Sequence, residues 1–214
     1  MFTYIYNMFA RMADYIATHP YACVQSVAGG FMVVGDRLRF YFSTRSGYVT
    51  AKNESHRLTC STGVAHLRRD GFASLQAQAQ ASSTGSGWVM TRQLRFGPSD
   101  SAPWDPTGLW LNLNTSAPGS SLKLKILKAG AIVAESTSIS GVDSTKQLVN
   151  FTSNYAAMSA VAGGQPFSIK FYFTGDAQLF AFWISTDECG TSGGHVAAGG
   201  PGFAMGRDKV CSKM

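Results

Sequence analysis

Residues 121–127 read SLKLKIL, and residues 108–114, shortly upstream, read GLWLNLN. In the first segment Leu122, Leu124 and Ile126 alternate with Lys123 and Lys125; in the second Leu109, Leu111 and Leu113 alternate with Trp110 and Asn112. A period of two belongs to a strand, whose successive side chains point to opposite faces. The lysines then face water while the leucines face a core, the pattern of an antiparallel sheet solvated on one side. Both segments are expected to be such strands.

Working outward, Ala129-Gly130 reads as a turn into a strand over 132–134, and further strands are expected over 88–96, 146–151, 167–173 and 178–184. Thr174-Gly175-Asp176 joins the last two. In them Phe167, Ile169, Phe171 and Phe173 share one parity, as do Phe180, Phe182 and Ile184. The other parity carries Lys170 and Tyr172, then Leu179 and Trp183, so these two strands read as core strands apolar on both faces. Seven or eight short strands at this spacing predict an antiparallel β-sandwich or jelly roll.

Upstream, two apolar runs flank Gly35-Asp36 over residues 31–42, and a second pair flanks Asp70-Gly71 over residues 63–75. Glycine–aspartate pairs are hairpin-turn chemistry, so a four-stranded meander is expected. Residues 76–87, QAQAQASSTGSG, are small and polar and read as a linker or exposed loop. At the N-terminus Phe2, Ile5, Met8, Phe9, Met12 and Ile16 recur at spacings of three and four, an amphipathic helix ending before His19-Pro20. The expected organisation is a helix over 1–22, a meander over 23–76, a linker over 77–87 and a sandwich over 88–214.

Composition agrees with an all-β chain. Among 214 residues only 14% are charged while 45% are hydrophobic, which excludes a disordered or coiled-coil protein. The net charge of +6 is uneven. Residues 1–97 hold ten basic against four acidic side chains, whereas residues 98–214 balance at eight and eight. No run of 18 apolar residues occurs, so no spanning helix is expected. The four cysteines, Cys23, Cys60, Cys189 and Cys211, contain no C-x-x-C pair and are disulfide candidates; pairing within each half fits two units best. Asn53, Asn114 and Asn150 lie in N-x-S/T sequons. These features lean toward an extracellular or secretory-pathway protein.

The order of several motifs carries a resemblance. GDRLRFYFS (35–43), STGVAHLRRDGFASL (61–75), TRQLRF (91–96), LWLNLN (109–114), LKLKIL (122–127), GQPFSIKFYF (164–173) and LFAFWIS (179–185) follow one another. Together they resemble the C-terminal portion of bacterial glycoside hydrolase family 32-like or 43-like proteins, over about residues 24–203. The resemblance implies that residues 24–75 are a last propeller blade and that residues 88–203 are a concanavalin-type sandwich. The catalytic motifs of that clan, W-M-N-D-P-N and R-D-P, are missing here. Asp187-Glu188-Cys189 contains a Glu-Cys pair, but it follows the last sandwich strand instead of lying in a middle blade. The chain is therefore expected to be a non-catalytic carbohydrate-binding or interaction module, in a homo-oligomer or larger assembly. A structural subunit of an extracellular or viral-type assembly, and a glycoside hydrolase with an unfamiliar site, stand as alternatives.

Candidate ligand residues follow from side-chain chemistry. A pyranose offers C–H groups to an aromatic face, which makes Trp88, Trp104 and Trp110 candidates. Trp104 is preferred, because it lies in a Pro-rich loop with Asp100 and Asp105, and Asn114 adds a further polar partner. Trp110 and Trp183 lie within strands and read as core. Arg37, Arg39, Arg45, Arg68 and Arg69 form the basic set, suited to an acidic glycan through the planar guanidinium fork. For nucleic acid only nonspecific charge remains. The four histidines lack metal-ligand spacing, and no metal or cofactor is expected.

Overall fold

The computed structural model describes residues 22–46, 59–77, 85–96, 106–162, 164–186 and 188–190. The chain divides into two compact units between Ala73 and Ser74. The helix expected over residues 1–22 lies outside the described residues, except that Ala22 opens the first strand.

The first unit is a three-stranded antiparallel sheet of β1 (Ala22–Val34), β2 (Arg37–Ser46) and β3 (Thr59–Arg68), in the order β1-β2-β3. Gly35 takes the positive φ, 56°, at the first central position of the β1–β2 turn, which matches the twist of a two-residue hairpin. Val33, Leu38 and Leu67 are in register across the three strands and are buried together, with Phe40 packed on them. Gly63 sits opposite Phe42 because the ring covers it: a Cβ there would lie 2.3 Å from Phe42 Cζ.

The expected fourth strand is not formed. The turn after β3 runs from Arg68 to Gly71, closed by a 2.9 Å bond from Gly71 N–H to Arg68 O, and only Asp70 has a positive φ, 51°. Asp70 and Gly71 are thus not the two central residues, and a turn with positive φ at its third residue splays its flanks instead of pairing them. Residues Leu75–Gln76, expected in the meander, form β4 and pair with Gln178 and Leu179 of the second unit.

That second unit is a sandwich of two antiparallel sheets. Its strands are β5 (Ser86–Met90), β6 (Gly108–Asn114), β7 (Ser121–Lys128), β8 (Ala131–Glu135), β9 (Ile139–Ser140), β10 (Asp143–Leu148), β11 (Ser168–Thr174) and β12 (Gln178–Ser185), together with β4. The four-stranded sheet has the order β10-β6-β12-β4, and the five-stranded sheet the order β5-β11-β7-β8 with β9 paired to β7. Leu109, Leu111 and Leu113 of the first, and Leu122, Leu124, Ile126, Ile169, Phe171 and Phe173 of the second, form one buried cluster. Across it the Phe171 and Phe182 rings meet at 5.3 Å between centroids. At the β7–β8 turn Ala129 and Gly130 both have positive φ, 50° and 83°.

Three details differ from expectation. Strands β11 and β12 are consecutive but lie in opposite sheets, so the turn at Gly175-Asp176 is an arch and not a hairpin. Strand β12 carries a bulge: Leu179 pairs with Leu113 but Ala181 pairs with Asn112, leaving Phe180 as the extra residue. Beyond it Phe182 and Ile184 align with Leu111 and Leu109 on the core face, and Trp183 aligns with Trp110 on the outer face. The linker expected over 77–87 is trimmed at both ends, since Ala77 is buried in the sandwich core and Ser86 begins β5. A single described helix, α1 (Asn154–Val161), is capped by Ser153, whose Oγ accepts from Ala156 N–H, and it packs Ala157, Ala160 and Val161 into the core beside β7 and β8.

Candidate functional site

The outer face of the five-stranded sheet is built by the same alternation that fills the core. Register places Trp88, Tyr172 and Lys123 in one row across β5, β11 and β7, and Met90, Lys170, Lys125 and Glu135 in the next across β5, β11, β7 and β8. Lys170 and Lys125 are direct cross-strand neighbours, an unfavourable like-charge pair. Each finds a different outlet. Lys170 Nζ lies 3.7 Å above the centroid of the Trp88 ring and 5.2 Å from that of Tyr172. Lys125 Nζ lies 3.4 Å from Glu135 Oε2 and 5.5 Å from the Tyr172 ring centroid, while Lys123 takes Glu135 Oε1. The hydrogen bond from Lys123, joined by Lys125, holds the Glu135 carboxyl below the usual carboxylate range. Glu135 is therefore ionised at neutral pH and neutralises part of the lysine charge.

Trp88 remains 54% exposed and Met90 49%. An exposed indole pinned by an ammonium group offers two recognitions side by side: apolar contact for the C–H face of a ring, and a cation for an anionic substituent. Lys170 and Tyr172, read from the sequence as one side of a core strand, in fact belong to this half-buried outer face. The signal was present in the lysines, which share parity with Tyr172 across β7 and β11.

The preferred sugar-binding set fares differently. Trp104, Asp100 and Asp105 lie outside the described residues. Asn114 is engaged locally: its Oδ1 accepts from Ser116 N–H at 3.0 Å and from Ser116 Oγ at 2.8 Å, an Asx-type turn ending β6. Trp110 and Trp183, expected in the core, align on the outer face of the four-stranded sheet, where Trp183 is nonetheless buried at 5% exposure and Trp110 is half-buried. The turn that follows β12 covers them. Trp183 Nε1–H donates to Gly190 O at 2.9 Å, Gly190 lies against the Trp110 ring, and Lys146 Nζ is 5.6 Å from that ring's centroid.

Of the basic set, the structure brings three arginines to one face of the three-stranded sheet. Arg37 pairs with Arg68, and Arg39 with His66, so four nitrogen-bearing side chains form a two-by-two block. Arg37 is exposed and the other three are half-buried. Arg69 lies in the turn after β3, where its backbone N–H donates to Asp36 O at 2.9 Å. Arg45 is in β2, with its side chain outside the described residues.

Arg45 also corrects one cysteine pairing. Cys23 and Cys60 are both in register with Arg45, on its two sides, so β2 runs between them. Two strand spacings put their Cα atoms about 9.6 Å apart, beyond the roughly 7 Å limit for a disulfide. Cys189 lies in the turn on the four-stranded sheet, and Cys211 lies outside the described residues, as does Asn53. Asn150 is exposed just before α1, and its carbonyl accepts from the Thr137 N–H at 2.9 Å.

Among the described residues no cluster of three His, Cys, Asp or Glu side chains is placed to hold a metal ion, and no helix is long and apolar enough to cross a membrane. No protein-family model, curated protein or solved structure matches the chain.

Proposed function

We propose that the chain is a non-catalytic binding module that takes an acidic glycan on the outer face of its five-stranded sheet. The observation that carries this reading is Trp88, more than half exposed, with the Lys170 ammonium 3.7 Å above its ring. A uronate presents a C–H face to the indole and a carboxylate to the lysine, so both groups of one sugar are met at neighbouring positions. Tyr172, Lys125 and Lys123 extend the platform along the next strands, wide enough for more than one residue of a polymer.

The motif resemblance to glycoside hydrolase 32/43-like proteins supports the same proposal, with the sandwich as a concanavalin-like jelly roll and the three-stranded sheet as a relict propeller blade. Cys189 is taken as one half of a disulfide, with Cys211 as its partner, a pairing that supports an oxidising, extracellular or secretory compartment.

The test is a calorimetric titration of the full chain with polygalacturonate and, in parallel, with a neutral glucan. Polygalacturonate should bind and the neutral polymer should bind more weakly. Trp88→Ala and Lys170→Gln should each weaken binding by about tenfold, as expected of a central contact, with the far-UV spectrum unchanged. Absence of polygalacturonate binding, or wild-type affinity in Trp88→Ala, overturns the reading.

A second reading, a structural subunit in an assembly, draws on Phe31, which is 52% exposed at the margin of the apolar face formed by Val33, Leu38, Leu67 and Phe40. Native mass measurement decides it: a stable oligomer that Phe31→Ser dissociates supports this reading, and a monomer removes it.

A further inference from the structure

On the face of the three-stranded sheet that carries Arg37, Arg39, Arg68 and His66, we infer a second anion site, one that takes sulfate ester groups of a polysaccharide. It depends on the proposal above only for the choice of a glycan as carrier of the anion. The site itself stands on separate residues in a separate unit.

Three observations carry it. The β2–β3 register runs without a shift from Arg37↔Arg68 to Ser46↔Thr59, so the four side chains share one face by strand alternation. Arg37 stands directly opposite Arg68, and Arg39 directly opposite His66, so the register gathers three guanidinium groups and an imidazole on one face. Arg39 Nε is buried and has no hydrogen-bond partner among the described residues. A buried guanidinium N–H without an acceptor is costly. An oxyanion arriving beside Arg39 supplies that acceptor, and the planar fork of Arg37 or Arg39 can hold two of its oxygens at once.

The alternative polyanion is single-stranded nucleic acid, which sheets bind by stacking bases on exposed aromatic rings. Here the aromatic residues fall on the wrong side. Phe31 and Phe40 pair with each other, 5.5 Å between ring centroids, on the face opposite the arginines, and Phe42 follows the same parity. Tyr41 is the one described aromatic residue of β2 on the basic face, and it is half-buried. Its neighbours across the strands are aliphatic: Val34 beside Arg37, Met32 beside Arg39 and Val64 opposite Tyr41. Among the described residues this surface has no row of rings for bases, yet it pairs cations with apolar contact area, as a sulfated sugar requires.

The experiment titrates the full chain with heparin and with a single-stranded oligothymidylate at several salt concentrations. Heparin should bind more tightly than the oligonucleotide. The Arg37→Gln/Arg39→Gln double variant should weaken heparin binding by about tenfold or more and lower the salt slope by about 1 to 2, since two cations no longer displace counterions from the polymer. Arg37→Lys/Arg39→Lys keeps the charge and so keeps the salt slope, but recovers only part of the affinity, because the fork is gone. Arg37→Gln alone, at an exposed position, guards against misfolding of the double variant and should weaken heparin binding severalfold.

Failure of heparin to bind, wild-type affinity in both glutamine variants, or tighter binding of the oligonucleotide at equal salt overturns the inference. Dextran sulfate, which carries sulfate esters but no uronate, serves as the cross-check: it should lose affinity in the arginine variants, and unchanged affinity there overturns the inference. If polygalacturonate does not bind while heparin binding is lost in the arginine variants, the reading of the sandwich fails and this one stands.

Discussion

Substituting Gly190 by alanine tests the packing of the turn over the tryptophan pair. Gly190 has φ +67°, and a Cβ built there lies 2.4 Å from Trp110 Cε2, 2.5 Å from Cδ2 and 2.8 Å from Nε1. Two separate costs follow. Placing an L-residue in the left-handed region costs about 1–2 kcal/mol, and forcing a methyl group into a packed ring costs about 1–3 kcal/mol more. The Trp110 ring has little room to yield, since the Lys146 ammonium lies 5.6 Å from its centroid and the Gly190 carbonyl is held by Trp183 Nε1–H. Gly130 supplies the control: its φ is +83°, but nothing lies within 4 Å of a Cβ built there. Gly130→Ala should therefore show the backbone cost alone, about 1–2 kcal/mol, and Gly190→Ala about 2–5 kcal/mol. Urea unfolding of both variants, followed by tryptophan fluorescence and far-UV circular dichroism, gives the two values on one scale. Equal destabilisation by the two substitutions, or a Gly190→Ala cost below about 1 kcal/mol, would refute the packing described for this turn.

Two further predictions concern the five-stranded sheet. Ser136 is 2% exposed, and its Oγ accepts the Leu124 N–H at 2.9 Å while its own N–H donates to Leu124 O; Ser136→Ala orphans a buried donor, should cost about 1–3 kcal/mol, and should speed hydrogen exchange at the Leu124 amide. Unchanged exchange and stability would count against this bond. The Glu135 carboxyl, lowered by Lys123 and Lys125, contributes stability that is present above its unfolded pKa and is lost as pH falls through its lower folded pKa. An NMR titration should place its midpoint below that of an unperturbed glutamate, with signals of Lys123 and Lys125 moving in step; an unshifted or raised midpoint would show that the lysines do not hold it.

Most of the sandwich was legible because its strands obey one rule over several residues. Leu122, Leu124 and Ile126, or Phe167 to Phe173, sit in phase with the pleat, and burial alone decides which side they take. What stayed hidden are places where a single residue breaks phase. Phe180 shares parity with Phe182 in the sequence, but the bulge shifts the strand by one, so Leu179 and not Phe180 lines up with the core face. Likewise Asp70-Gly71 has hairpin composition, yet the hydrogen bond closes one residue earlier, and the fourth strand is lost. A turn one residue off is invisible to composition.

The candidate sites divide the same way. The arginines of β2 and β3 were named from the sequence, and register brought Arg37, Arg39 and Arg68 together, because alternation and a continuous ladder leave them no other face. The loop set around Trp104 lies outside the described residues, and the sequence favoured it over Trp88 because a Pro-rich loop is more available than a strand. Only the sheet order, with β5 at the edge beside β11, shows that Trp88 lies on an open face next to Lys170.

The arch at Gly175-Asp176 also governs how the chain can be made. It sends β11 to an inner position of one sheet and β12 to an inner position of the other. Each sheet therefore waits for the same closing stretch, Ser168 to Ser185, to supply an inner strand. As the chain is synthesised, β6 and β7 have their apolar faces ready long before the strands that complete their sheets leave the ribosome. A chain that ends before residue 168 lacks an inner strand of each sheet, so Leu109, Leu111, Leu113, Leu122, Leu124 and Ile126 lose part of their cover in both layers at once.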